Sequence, residues 1–381
     1  MDLTPSPADE QFRAEVRQWL AANKPALPMP SGDSPEGVPV HLEWERRLFD
    51  AGWAVVSWPE RFGGRDCSLW QWLIFEEEYY RAGLPQRVAQ NGIFLIAPTL
   101  LEFGTPYQQE RYLRRMAAVE DLWCQGWSEP EAGSDLASLR SRAVRDDERG
   151  GWRLYGQKCW STRGAYCSHM FGLFRTGTAE ERHNGITYFL IDLRQPGVDV
   201  RPVARLDGDD GFADVFFDGA FVSDADVLGE VGRGWYVAMA TAGSERTLSL
   251  RSPGRFTATA DRLVSLLRDA DPAVLADARL RTAVADSWMA ARAYTMSTNA
   301  LVTRIESGAP VGAEASLSKV FWSELDVALH ETALAVRGAD AGLDEEWMRG
   351  YEFALAGPIY AGTNEVQRNI IAERLLGLPR R

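Results

Sequence analysis

Cysteine and histidine are scarce in this chain, four of each among 381 residues. Cys67, Cys124, Cys159 and Cys167 form no Cys-x-x-Cys pair and the histidines are scattered. That spacing argues against a zinc site and leaves buried, reduced thiols as the expectation. Runs of Lys or Arg are missing as well, and the formal net charge is -13. A nucleic-acid footprint and an anionic membrane surface are therefore not expected, and a phosphate-bearing ligand would need a local basic pocket. No apolar run is long enough to cross a bilayer. The start Met-Asp-Leu-Thr-Pro-Ser-Pro has neither the basic nor the apolar part of a secretory leader, so a cytoplasmic protein without membrane contact is the expectation. Three common motifs are also missing. No Gly-x-Gly-x-x-Gly follows a strand, the nearest case being Gly232-Arg-Gly234; no phosphate-loop Gly-x-x-x-x-Gly-Lys-Ser/Thr occurs; and no Gly-x-Ser-x-Gly elbow occurs. A nucleotide, if bound, is held by another fold.

What is present reads as a globular protein, with 45% hydrophobic and 25% charged residues. Residues 1–120 are mostly helical in pattern. Ser6-Pro7-Ala8-Asp9 forms a capping signal, and Phe12, Val16 and Leu20 follow at helical spacing. Asp66–Arg81 is a second helical candidate, and Trp58–Gly64 reads as a loop. Residues 121–230 change character: Trp152–Tyr155, Gly185–Leu193 and Val215–Val222 are strand-like, set apart by Gly150-Gly151, Gln195-Pro196-Gly197 and Asp207–Gly211. Residues 231–381 are helical again, with a Leu280, Val284, Trp288 stripe and a helix start at Gly362-Thr363-Asn364-Glu365. The order is helices, then β, then helices, an α+β plan without internal repeats.

Four segments carry a family resemblance. Ser128-Glu-Pro-Glu-Ala-Gly-Ser-Asp135, Gly156-Gln-Lys-Cys-Trp-Ser-Thr162, Gly185–Val198 and Ile359-Tyr-Ala-Gly-Thr-Asn-Glu-Val-Gln-Arg368 occur in order across nearly the whole chain. Together they resemble the signatures of acyl-CoA dehydrogenases, flavoproteins with an N-terminal helical domain, a middle β-sandwich and a C-terminal four-helix bundle. The resemblance implies FAD as cofactor and an acyl-CoA or acyl-carrier-protein thioester as substrate. It also implies electron-transfer flavoprotein as electron acceptor.

Carried over residue by residue, Ser128 and Trp127 would meet the flavin, Ser128 through a hydroxyl at the pyrimidine edge. Ser134, after Gly133, would reach FAD or the pantetheine region. Trp160 and Thr162, two apart and expected on one face of a strand, would place an indole against the flavin and a hydroxyl near N5. Arg163 stands where a small polar residue is usual. Thr363 and Glu365 read from the residues alone as an N-cap and a first-turn carboxylate, to which the family adds contact with FAD. Tyr360 and Arg246 are carried as substrate-binding residues.

Many members carry a catalytic Glu just before the Gly-Thr of the last motif. Here that position is Ala361, which cannot take a proton, although the backbone N–H that the family offers to a nascent enolate oxygen is left intact by the change. Other members carry the base on a bundle helix, just before an Arg. Ala-Gly-Ser-Glu245-Arg246 matches that arrangement, with Glu245 three residues after Ala242 and seven after Ala238, on one helical face. Glu245 is the expected base.

Two features of homotetrameric members are missing: an Arg-x-x-Phe-Gly stretch in the C-terminal bundle, and a paired-Gly loop at 335–342, which reads Ala-Val-Arg-Gly-Ala-Asp-Ala-Gly. The ending resembles actinobacterial members, some of which are α2β2 heterotetramers acting on steroid side-chain thioesters. A homo-oligomer (dimer or tetramer) and a heterotetramer both stay open. So do a non-catalytic partner subunit and a flavin oxidase or monooxygenase on the same fold.

Overall fold

The computed structural model describes residues 6–246, 252–309, 312–343 and 345–380, with the side chains of 244–246 outside the description. The chain forms two compact units, one from Met1–Leu27, Cys67–Pro85 and Arg246–Arg381, the other from Pro28–Asp66 and Gln86–Glu245.

The first unit is helical. α1 (Pro7–Asn23) starts as its sequence demands: Ser6 accepts from the Asp9 amide, Asp9 caps back, and Pro7 opens the first turn. α3 (Leu69–Arg81) begins slightly later than the Asp66 of the sequence pattern, because Ser68 forms the capping box with Gln71. α7 (Pro253–Arg268) crosses α3 closely enough that a Cβ at Gly254 would lie 2.7 Å from Glu77 Cα. α8 (Pro272–Ala276), α9 (Ala278–Glu306), α10 (Glu314–Arg337), α11 (Glu345–Ala354) and α12 (Asn364–Ile370) complete the described helices. Phe256, Leu263, Trp322, Leu329 and Ala333 form the centre of one core. Burial of each large member contributes roughly 1.5–3 kcal/mol.

The second unit contains α2 (Gly37–Asp50), a π-helical turn at Asn91–Ile96, α4 (Ala97–Phe103), α5 (Pro106–Ala117), the β region and, through Glu245, α6 (Gly234–Arg246). The strands are β1 (Trp123–Gly126), β2 (Arg142–Asp146), β3 (Gly151–Lys158), β4 (His169–Arg175), β5 (Ile186–Asp192), β6 (Val198–Val203) and β7 (Phe212–Ser223). Among the described residues they form one seven-stranded sheet in the order β1-β4-β2-β3-β7-β6, with β5 on β4. A single residue pair, Arg142↔Arg175, joins β2 to β4. Cys124, Met170 and Phe189 on one side of that seam share a core with Trp152, Leu154, Val215 and Val222 on the other. The sheet therefore folds over on itself in the manner of a sandwich. Burial pushes the Cys124 thiol pKa upward and that of Cys159 to about 11, so both stay protonated near neutrality.

Candidate active site

The expected site residues fall in both units, and each group is described by itself. In the second unit the loop after β1 turns on paired backbone bonds between Glu129 and Ala132, at 3.0 and 3.1 Å. The turn directs the Glu129 side chain inward, where it accepts from the amides of Arg140 (2.6 Å) and Ser141 (3.0 Å) and from Lys158 Nζ (2.7 Å). Lys158, the last residue of β3, is fully buried. Burial pushes the Lys158 pKa down, against the attraction of Glu129. Burial also opposes ionisation of Glu129, but Lys158 and the amide donors outweigh it and hold the carboxyl below its ordinary range. This pair fastens the loop to the sheet. The Cys159 amide adds a 2.9 Å bond to the Ser128 carbonyl, bringing half-buried Ser128 beside the segment of Trp160.

That segment is not the strand its pattern suggests. The β3–β7 ladder runs to Lys158↔Val215, and pairing returns only at Ser161 and Ala213, which exchange two 3.0 Å bonds. Cys159 and Trp160 thus stand opposite the single residue Asp214, a bulge. The Cys159 amide, spent on the Ser128 carbonyl, does not donate to β7, and the Glu129–Lys158 pair holds the loop that supplies that carbonyl. Trp160 has a left-handed backbone, φ 58°, the residue is 63% exposed, and its ring stands edge-on to Phe212. Thr162 follows in a turn, half-buried, so strand alternation does not relate it to Trp160. Two buried donors, Trp127 Nε1 and Ser161 Oγ, have no hydrogen-bond partner among the described residues. Ser134 is exposed, and a Cβ at Gly133 would meet nothing within 4 Å. No packing in the chain itself requires that glycine.

Arg163 is buried with φ 55°, and its Nε lies 2.5 Å from Asp33 Oδ1. Lys158, Glu129, Asp33 and Arg163's role were not legible in the motifs. The available signal was a lysine in phase with inward-facing Trp152 and Leu154 of the same strand, which must find a counter-charge.

α6 is anchored mid-length. Buried Thr241 bonds Thr99 of α4 (2.8 Å) and Tyr188 of β5 (3.3 Å), and Ala238 and Ala242 are buried beside it. Glu245 and Arg246 close the helix one turn later, and their side chains lie outside the described residues.

In the first unit, Tyr360 stacks on Trp322 at 5.9 Å. Ala361 and Gly362 are both left-handed, φ 58° and 81°. Buried Gln367 donates to both their carbonyls, at 3.1 and 3.4 Å. Buried Asn364 is fixed by its amide to Pro358 O (2.8 Å) and by its Oδ1, which accepts from Lys319 Nζ (2.7 Å) and Ser323 Oγ (3.1 Å). Thr363 caps α12 by accepting from the Val366 amide at 3.3 Å, as its sequence position predicts. Backbone and Thr363 hydrogen bonds lower the pKa of Glu365, so an ionised carboxylate sits at the positive end of the helix.

Compared with known proteins, residues 6–120, 124–220 and 232–376 match in turn the acyl-CoA dehydrogenase N-terminal, middle and C-terminal domains. The chain belongs to the acyl-CoA dehydrogenase family. It is 40% identical to acyl-CoA dehydrogenase IpdE1 of Mycolicibacterium smegmatis, over 97% of this chain and 98% of the relative. Its fold is similar to that of the steroid ACAD Tcur3481-Tcur3483, with TM-score 0.88 and 25% identity over 100% of both chains. It is also similar to a chain of the ChsE4-ChsE5 complex from Mycobacterium tuberculosis, with TM-score 0.84 and 27% identity over 100% of both chains. As an acyl-CoA dehydrogenase it is a flavin-dependent oxidoreductase with FAD as its cofactor. No described helix is long and apolar enough to cross a membrane, and no cluster of three or more metal-ligating side chains occurs among the described residues.

Proposed function

We propose that Glu245 is the base in the α,β-dehydrogenation of a bulky acyl-CoA to its trans-2-enoyl thioester. The observation that carries the reading is the exchange of positions. Ala361 occupies the place of the usual carboxylate, while α6 ends in Glu245-Arg246 after buried Ala238 and Ala242. Ala361 keeps a backbone N–H in a turn fixed by Gln367, which suits a donor to the enolate oxygen. Glu245 removes the Cα proton, and desolvation against the acyl chain would bring its pKa toward the working pH. FAD, when bound, accepts the hydride from Cβ.

Trp127, Ser128, Ser134, Trp160, Thr162, Thr363 and Glu365 are the residues we assign to FAD, with Ser134, Arg246 and Tyr360 toward the thioester. Buried donors without acceptors among the described residues at Trp127 and Ser161, directly before Ser128 and Thr162, support a polar ligand there. So does the open space at Gly133. The steroid ACAD and ChsE4-ChsE5 likenesses, with the missing Arg-x-x-Phe-Gly and paired-Gly features, favour a steroid-type thioester and an unlike partner subunit in an α2β2 assembly. Electron-transfer flavoprotein is the proposed electron acceptor.

The test is anaerobic titration with a panel of acyl-CoAs, followed by flavin bleaching. Glu245→Gln is expected to keep its flavin and to bleach about 10²–10⁴-fold more slowly. Near-normal bleaching in that variant removes Glu245 from its role. Rapid reoxidation by air alone would turn the assignment to an oxidase.

A further inference from the structure

Three loops of the second unit converge on one buried carboxylate. Asp33 Oδ1 lies 2.5 Å from Arg163 Nε, and Asp33 Oδ2 accepts from Arg205 Nη1 at 2.5 Å. Both Arg163 and Asp33 have side chains only 8% exposed. Arg205 is held in turn by Asp207 at 2.8 Å and Asp209 at 3.6 Å. The backbone completes the junction. The Arg163 amide donates to Gly211 O at 2.9 Å, Tyr166 OH donates to Asp33 O at 3.3 Å, and Arg163 Nε donates to Gly32 O at 3.4 Å. The fit leaves no slack: a Cβ at Gly211 would lie 2.5 Å from Arg205 Nε, and one at Gly164 would lie 2.8 Å from Ala213 Cβ.

We propose that Asp33 is a positioning residue for the flavin-facing loop, acting through Arg163 to set the turn that presents Trp160 and Thr162. The argument is physical. Arg163 follows Thr162 directly and sits at φ 55°, a conformation that disfavours a residue with a Cβ. The local chain does not favour that turn on its own account. A buried guanidinium held on a buried carboxylate fixes it, because the Arg163 charge without Asp33 would be left inside the protein at a cost. Asp33 comes from a segment 130 residues earlier, so the order of the loop depends on the segment before α2 rather than on the sheet alone. The inference rests on the reading that Trp160 and Thr162 face FAD.

The experiment compares Asp33→Asn, Arg163→Gln and the double variant with the parent protein. Three quantities are read: the FAD dissociation constant of the apoprotein, the absorption maximum of bound flavin, and kcat and KM separately. Each single change is expected to weaken FAD about tenfold, the size expected when a buried ion pair that orders a binding loop is broken. Each is also expected to shift the flavin spectrum and to lower kcat more than it alters KM. The double variant should be no worse than Arg163→Gln alone, because one residue works through the other. Asp33→Glu should restore much of the loss. Additive effects in the double variant overturn the proposal, as do unchanged spectra and affinity in folded single variants. Should Asp33→Asn not fold, Arg163→Lys, which keeps the charge but not the fork, must still shift the flavin spectrum, and an unshifted spectrum overturns the proposal. Thr162→Ala separates the two readings. If it leaves FAD affinity and spectrum unchanged, the flavin-facing assignment fails and the proposal with it; if it alters them while Asp33→Asn does not, only the role of Asp33 fails.

Discussion

The loop of Trp160 and the turn of Ala361 share an unusual backbone and differ in what enforces it. Both place non-glycine residues at left-handed φ, 58° at Trp160, 55° at Arg163 and 58° at Ala361. Around Trp160 and Arg163 the enforcing contacts are ion pairs with little exposure, Lys158–Glu129 and Asp33–Arg163. Around Ala361 they are carboxamides, Gln367 on two carbonyls and Asn364 on the preceding turn, with Lys319 meeting the Asn364 oxygen. A charged lock is rigid but fails badly when one half is lost, since the survivor is stranded. Losing Gln367 from the amide lock removes only hydrogen bonds between neutral groups.

The contrast can be broken by substitution. Lys158→Met is expected to destabilise the protein by about 3–5 kcal/mol, read from denaturant unfolding. Adding Glu129→Gln should recover part of that loss. A double variant less stable than Lys158→Met would mean that the pair is not what holds the loop.

Acidity sharpens the comparison. Burial raises the pKa of Glu45, which accepts from the Val88 and Ala89 amides in the second unit, to about 7. A carboxyl raised in the fold favours the protonated form, so its stabilisation is complete below the unfolded pKa of about 4.3 and fades as pH rises through 7. Unfolding free energy should therefore carry a descending component of roughly 3 kcal/mol across that window, and Glu45→Gln should remove it. An unchanged pH profile in that variant would show that Glu45 is ionised throughout. The smallest effect belongs to the amide lock. Gln367→Leu should cost about 1–2 kcal/mol in melting experiments, with kcat reduced and FAD still bound. A loss as large as that of Lys158→Met would erase the distinction.

The helical ends and three of the strands were legible because periodicity and capping act over a few residues. Ser6, Thr363 and the Val215–Val222 strand are of this kind. β1, β2, β4 and β6 were not read as strands. β1 is only four residues long, and β4, buried throughout, shows no alternation; β5 is nearly as buried but was readable as an apolar run between turn signals. The bulge at Trp160 was invisible for a different reason. There the Cys159 amide meets the carbonyl of Ser128, in a loop fastened by the pairing of a lysine with a glutamate 29 residues away, and no local pattern encodes that meeting. Asp33 and Arg163 are further apart still. At Glu245 the motif alone speaks, since its side chain lies outside the described residues.

The exposure of Trp160 makes it an optical reporter. Trp123 and Trp322 are sealed in the interior, whereas the Trp160 indole is largely open to solvent. A collisional quencher such as iodide would reach this emitter before those two. On the proposed assignment of Trp160 to the flavin, arrival of that planar group on its ring would be recorded twice, as lost emission and as lost sensitivity to the quencher, without any label being attached.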